Sequence, residues 1–107
     1  MKSGGRQLTQ ATPFEVSIGV RSAQIGDETV VFDLLRDKCY RLNSTGTRIW
    51  ELLSRGTSLG EVTDHLTKEF RLKRSEASET ANTYLGELVA LGLAASSSTI
   101  ESKSEGD

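Results

Sequence analysis

Across 107 residues the chain has one cysteine and one histidine, and no apolar run comes near the roughly 20 residues of a membrane-spanning helix. The lone Cys39 excludes an internal disulfide and fits a reducing, cytoplasmic compartment. The N-terminal stretch lacks the apolar core of a signal peptide. A net charge of −2 leaves no electrostatic case for nucleic acid or an anionic membrane surface. No glycine-rich phosphate loop follows a strand pattern. One cysteine and one histidine cannot build a zinc site without an unusual carboxylate set, so neither metal nor cofactor is expected. A nucleophilic pair of Cys39 with His65 is sterically conceivable, but no motif surrounds either residue, and such catalysis needs several aligned groups. Asp33 and Asp37 are accounted for by turn and cross-strand roles. Nothing here reads as an enzyme.

What is present is one small domain between two polar ends. Charged residues make up 26% of the chain and apolar ones only 36%, lean for a globular protein, and the ends explain the deficit. MKSGGRQLTQAT carries almost no large apolar residue, and AASSSTIESKSEGD is a serine-rich charged tail. Residues 1–13 and 95–107 are therefore expected to be disordered, since neither can bury enough surface to offset its ordering entropy. About 80 residues, 14–94, remain to fold, with stability on the order of 5 kcal/mol.

In 14–22 the apolar Phe14, Val16, Ile18 and Val20 alternate with Glu15, Ser17, Gly19 and Arg21, the period of a half-buried strand. Gly26-Asp27 marks a turn. A second strand, Thr29–Leu35, and a third, Lys38–Asn43, then form a hairpin. A two-residue loop would set Asp33 opposite Tyr40 and Phe32 opposite Arg41. A three-residue loop, Arg36 to Lys38, would set Asp33 opposite Arg41, Phe32 opposite Leu42 and Leu34 opposite Tyr40. The second register joins unlike charges on one face and apolar residues on the other and is preferred. It assigns Phe32, Leu34, Tyr40 and Leu42 to the core, and Asp33, Cys39 and Arg41 to solvent.

Three helical patterns follow. The first covers about 45–54, capped by Asn43 or Ser44, with Ile49, Trp50, Leu52 and Leu53 apolar and Arg55-Gly56 as its stop. The second opens on a capping box, Ser58 with Glu61, and runs to about Phe70, burying Leu59, Val62, Leu66 and Phe70. The third spans Ser75 to Leu91 and stops at Gly92. Its apolar residues, from Ala77 to Leu91, fill an arc of about 160°, wider than one packed contact needs, so a flank is free for a second surface. Trp50 reads as core, and Tyr84 sits at the edge of the arc. The expected class is α+β: a three-stranded antiparallel sheet followed by three helices, winged-helix-like.

Two binding readings compete. The helix-turn-helix rhythm of the last two helices suggests a winged-helix DNA-binding regulator. Against it, the exposed face of the third helix shows Glu76, Glu79 and Glu87 with Thr80, Asn82 and Thr83, and three carboxylates would repel phosphates. No second hairpin follows Gly92 to serve as a wing. The other reading is peptide capture on the open edge of the third strand, where backbone groups lack partners. Arg36, Lys38, Arg41 and Arg48 flank that strand, although a charged edge also serves simply to discourage aggregation.

The order and spacing of Tyr40-Arg41-Leu42-Asn43, Ser44-Thr45-Gly46, Ile49-Trp50, the Gly56–Leu59 segment and the closing Leu88–Leu93 resemble the PqqD-like leader-peptide recognition elements. These serve the biosynthesis of ribosomally made, modified peptides. LNSTG leading into RIW is most similar to the free-standing members of lasso-peptide pathways, and the likeness covers about 14–94. The resemblance implies a non-catalytic adaptor that binds the leader of a precursor peptide as an added strand, in a groove between the third strand and the third helix. It implies an edge of Lys38, Cys39, Tyr40, Arg41 and Leu42, and a wall of Ala81, Tyr84, Leu85 and Leu88. Lasso-type leaders fill such a pocket with an aromatic residue and a proline. The implied partners are that precursor, a separate leader peptidase and a cyclase. Cys39 stands where an aromatic or aliphatic residue is expected, which implies a smaller local pocket.

Overall fold

The computed structural model describes residues 11–96, and most of both expected tails lies outside them. Nine elements follow in chain order: β1 (Pro13–Val16), β2 (Val20–Ile25), β3 (Glu28–Asp33), β4 (Lys38–Leu42), α1 (Ser44–Ser54), β5 (Thr57–Ser58), α2 (Leu59–Phe70), α3 (Arg74–Ala90) and β6 (Ala94–Ser96). The class is α+β. The expected antiparallel meander is β2-β3-β4, and a second small sheet is ordered β5-β1-β6. Pro13, Ala95 and Ser96, which the composition assigns to the tails, belong to strands of that second sheet.

The single strand expected over 14–22 is two strands in different sheets. The chain breaks at Ser17–Gly19, where Gly19 adopts φ +86° and any Cβ would come within 2.8 Å of Leu35 Cγ. Alternation therefore holds for Phe14 and Val20, which are buried, but Ile18 sits in the connection and is exposed. The alternation runs unbroken through the connection because Ile18 happens to keep the period there.

The hairpin register also differs from expectation. Asp33 pairs with Lys38, Phe32 with Cys39, Val31 with Tyr40, Val30 with Arg41 and Thr29 with Leu42. The connection is Leu34–Asp37, with Asp37 in the left-handed region at φ +58°. On β3 the inward residues are Thr29, Val31 and Asp33, while Phe32 and, just past the strand, Leu34 are exposed, the reverse of the expected faces. On β4 the expected faces hold: Leu42 is buried, Tyr40 half-buried, and Cys39 and Arg41 exposed. The cause is Asp33, only 1% exposed. Its Oδ1 accepts the N–H groups of Leu35 (3.1 Å) and Arg36 (3.2 Å), and its Oδ2 accepts from Arg36 Nη1 at 2.9 Å. A carboxylate so fully satisfied can be buried, and Arg41 pairs with Glu28 instead.

The helices match the sequence closely at their starts. Asn43 caps α1, accepting the Gly46 N–H at 2.9 Å, and Ser58 caps α2, accepting the Glu61 N–H at 3.3 Å. The capping box is only half made, because the Glu61 carboxylate accepts from Thr57 Oγ1. The expected burial of Phe70 is not observed; it lies exposed at the end of α2. α3 ends in a Schellman motif, with Gly92 N–H bonded to Val89 O (3.0 Å) and Leu93 N–H to Leu88 O (2.9 Å). Ile49, Leu53, Val62, Leu66, Leu85 and Val31 form a continuous core between the helices and the sheets.

The Arg36 guanidinium, through its hydrogen bond, holds the Asp33 carboxyl below its ordinary value of 3.8, against the opposing effect of burial. A carboxyl lowered on folding stabilises the fold above its unfolded pKa and loses that contribution as pH falls through the folded value. Asp33→Asn should therefore be destabilised at neutral pH, and the gap to the parent should narrow as pH falls below the ordinary carboxyl value. Urea unfolding at about pH 6.5 and about pH 2.5 measures this; a gap that persists in acid would assign the effect to lost packing.

Candidate functional site

β4 lies at the end of its sheet, paired with β3 on one side only. Successive backbone groups along a strand point to opposite edges. Leu34 donates its N–H to Gly19 O (2.9 Å), toward β2, so Asp33, Val31 and Thr29 turn theirs toward β4. Their partners Lys38, Tyr40 and Leu42 face back. The outward backbone groups of β4 are those of Cys39 and Arg41.

A groove of about 360 Å³ runs beside this strand, walled on the other side by α3 and the segment after it. Its apolar floor is Leu42, Leu88 and Leu93, with Tyr40, Tyr84 and Leu91 at its margins. Tyr84 Oη donates to Asn43 Oδ1 at 2.7 Å, fixing the middle of α3 beside the end of β4. Gly46 makes the approach possible, since a Cβ there would lie 3.0 Å from Tyr84 Cε1 and 3.1 Å from Leu42 Cβ. At the other end Gly92 lies against the Arg36 guanidinium, where a Cβ would come within 2.5 Å of Nη1. α3 thus runs antiparallel to β4, with its C-terminal end beside Lys38.

Of the nine expected site residues, Lys38 to Leu42 form the open strand, and Tyr84 and Leu88 line the groove. Ala81 and Leu85 do not reach its surface: both are fully buried, one turn deeper, where α3 packs on the core. Asn43, Glu87, Leu91 and Leu93 also line the groove. Leu91 was legible in the wide apolar arc and Asn43 as a cap; only the chain reversal at Gly92 brings Leu93 to the floor.

The basic excess around the strand is largely neutralised. Arg36 pairs with Asp33, and Arg41 Nε with Glu28 Oε1 at 2.9 Å. Arg48 belongs to a clamp between α1 and α2, where it meets Glu51 (2.8 Å) and Glu69 (2.7 Å). Arg48 holds the Glu69 carboxyl below its usual range, and the two carboxylates raise the Arg48 guanidinium in turn. His65 Nδ1 lies 3.4 Å from Glu69 and 3.5 Å from Arg48, so it joins this clamp. Among the described residues no group of three or more His, Cys, Asp or Glu is placed to hold a metal ion.

Comparison with known proteins shows the family. The family described as Coenzyme PQQ synthesis protein D (PqqD) matches residues 28–94, from the first residue of β3 to that of β6. The chain belongs to the PqqD family. Two solved structures are similar to this PqqD-family chain. One is TbiB1 in complex with the TbiA(beta) leader peptide, 30% identical, with a TM-score of 0.72 over 75% of this chain and 93% of the other. The second is lasso peptide synthetase B1 complexed with the leader peptide, 26% identical, with a TM-score of 0.70 over 77% and 96%. No curated protein matches.

Asn43 serves two partners, the α1 amide and the Tyr84 hydroxyl, so this corner rests on the cap. Asn43→Ala should lower stability by about 1–2 kcal/mol, whereas Tyr84→Phe, which loses one exposed hydrogen bond, should cost less than about 1 kcal/mol. Urea denaturation of both variants tests the order; the reverse would make the hydroxyl the support.

Proposed function

We propose that this chain is a non-catalytic adaptor that binds the leader segment of a ribosomally made precursor peptide as a strand added to β4. It presents the precursor to a separate leader peptidase and, in a lasso pathway, to a cyclase, within the cytoplasm. The observation that carries this reading is the coincidence of two features. The outward backbone groups of Cys39 and Arg41 border an apolar groove that α3 closes on the far side. Both similar solved structures hold leader peptides, which supports the same use here.

Magnitudes divide the labour. Each backbone hydrogen bond contributes about 1 kcal/mol net, and each large apolar side chain buried in the groove about 1.5–3 kcal/mol. Association costs at least about 4 kcal/mol in lost freedom, which the four bonds offered by the N–H and C=O groups of Cys39 and Arg41 can at best offset. Affinity must come from side-chain anchors over Leu42, Leu88, Leu91 and Leu93. An aromatic residue and a proline of the leader suit such a floor. The strand pairing sets register and direction.

Arg41→Pro removes one outward amide without touching the β3–β4 ladder. It should weaken binding of a fluorescein-labelled leader at least about tenfold, measured by anisotropy, with the melting temperature held within about 5 °C. Tyr40→Pro removes an inward amide and should unfold the hairpin. Normal leader affinity in Arg41→Pro would rule out docking on this edge.

A further inference from the structure

β4 has two faces, and the groove uses one of them. Tyr40 and Leu42 face the core side, whereas Cys39 and Arg41 stand on the outer face of the sheet. Across that face Cys39 lies in a row with Phe32 and Arg21, and Arg41 in a row with Val30 and Ala23. α1 packs on the opposite face, where Thr29 Oγ1 meets Thr47 Oγ1 at 2.9 Å. Phe32 is 38% exposed and takes no part in the core, and the Arg41 side chain is 74% exposed. The Arg41 guanidinium is held at one end only. Its Nε donates to Glu28 Oε1 at 2.9 Å, and among the described residues neither Nη has a partner. A guanidinium anchored in this way keeps its terminal donors in place for a second carboxylate.

Backbone bonding alone leaves the offset of an added strand open. A shift by two residues restores the same hydrogen bonds to Cys39 and Arg41 and keeps every side chain on its face. The groove floor does little to choose between offsets, because Leu42, Leu88, Leu91 and Leu93 are chemically alike. The outer face does distinguish them. Residues of the added strand directly opposite Cys39 and Arg41 exchange backbone bonds with them and share their face. One of the two positions offers a cation with free donors. The other offers a small thiol beside a partly exposed aromatic ring.

On the basis of the leader-docking reading above, we infer that Arg41 fixes the register of the leader by pairing with one of its carboxylates on the outer face of the sheet. An added strand continues the antiparallel pattern of β3 and β4, where pairing is slightly stronger. The leader residue opposite Arg41 therefore comes two residues before the one opposite Cys39. The leader carries an acidic residue, then one that faces the groove over Tyr40, then an apolar residue that lies across Cys39 onto the Phe32 ring. The small Cys39 side chain makes room for that residue on the outer face, away from the groove floor.

Cys39, the one cysteine of the chain, reports the register directly. The full chain is mixed with the leader encoded beside its own gene, in versions that carry a single cysteine at successive positions, each activated as a thionitrobenzoate disulfide. Attack by the Cys39 thiolate joins the two chains and releases thionitrobenzoate. With the parent chain, exchange should be fastest at one leader position, two residues after an acidic one. In Arg41→Gln, its folding checked by thermal melting, exchange should spread to positions two residues to either side. Leader affinity, read by anisotropy, should fall about two- to fivefold. Replacing the leader's acidic residue by glutamine should do the same to the parent chain, with no change to its fold. Arg41→Glu, offered a leader with lysine in place of that acidic residue, should regain the single position, which a merely structural Arg41 would not allow. A single position kept in Arg41→Gln overturns the inference, and so does a parent peak with no acidic residue two places before it. Failure of the parent chain to bind leader by anisotropy overturns the docking reading itself.

Discussion

A buried carboxylate holds the β3–β4 hairpin in register, and most of the molecule's outward geometry follows from it. Asp33 accepts two turn amides and the Arg36 guanidinium, which permits a charged group to sit 1% exposed at the rim of the core. Because side chains alternate along a strand, that one inward position fixes Val31 and Thr29 inward as well. The pairing then decides which amides of β4 look outward. Arg36, held by Asp33, reaches across to Gly92 and brings the end of α3 against the turn. One ion pair therefore sets both the open edge and the far wall of the groove.

An open edge is a hazard that folded proteins normally suppress with charge, proline or cover. Here the outer side of β4 carries the Arg41–Glu28 pair, and Lys38 stands at its end without an ion pair among the described residues. These charges discourage flat pairing of two copies without obstructing a single peptide strand, whose backbone needs only the edge. The groove beside the edge is what separates a docking strand from a merely tolerated one, because an indiscriminate edge offers hydrogen bonds but no anchor.

The helices are legible in the sequence because their signals are local. Asn43 and Ser58 mark starts through side-chain bonds to nearby amides and Gly92 a stop through its own, and the buried pairs Ile49 and Leu53, Val62 and Leu66, and Ala81 and Leu85 each sit at helical spacing. The break at Ser17–Gly19 is hidden, since Ile18 continues the alternation of Phe14 and Val16 into a segment outside both strands. The hairpin register departs from the premise that opposite charges pair across strands. Asp33 instead finds its cation three residues on and takes its turn amides too, so a local bond displaces a cross-strand one. The site shows the same division. The open strand is readable from the hairpin's passage into α1, and Tyr84 and Leu88 from the helical arc. Ala81 and Leu85 look identical to wall residues on a helical wheel, and only packing depth separates them.

Selectivity cannot reside in the strand pairing, because the backbone bonds of Cys39 and Arg41 are available to any extended chain. It must lie in what the floor of Leu42, Leu88 and Leu93 admits between Tyr84 at one end and Leu91 at the other. Both boundaries are fixed in the free protein, the first by the Asn43 bond and Gly46, the second by the Schellman turn and Arg36. A groove formed in advance gives up little freedom of its own on binding, so even a small contact can discriminate. A small contact also dissociates readily. The lean core and the short groove suit a protein that holds one extended segment briefly and in one direction.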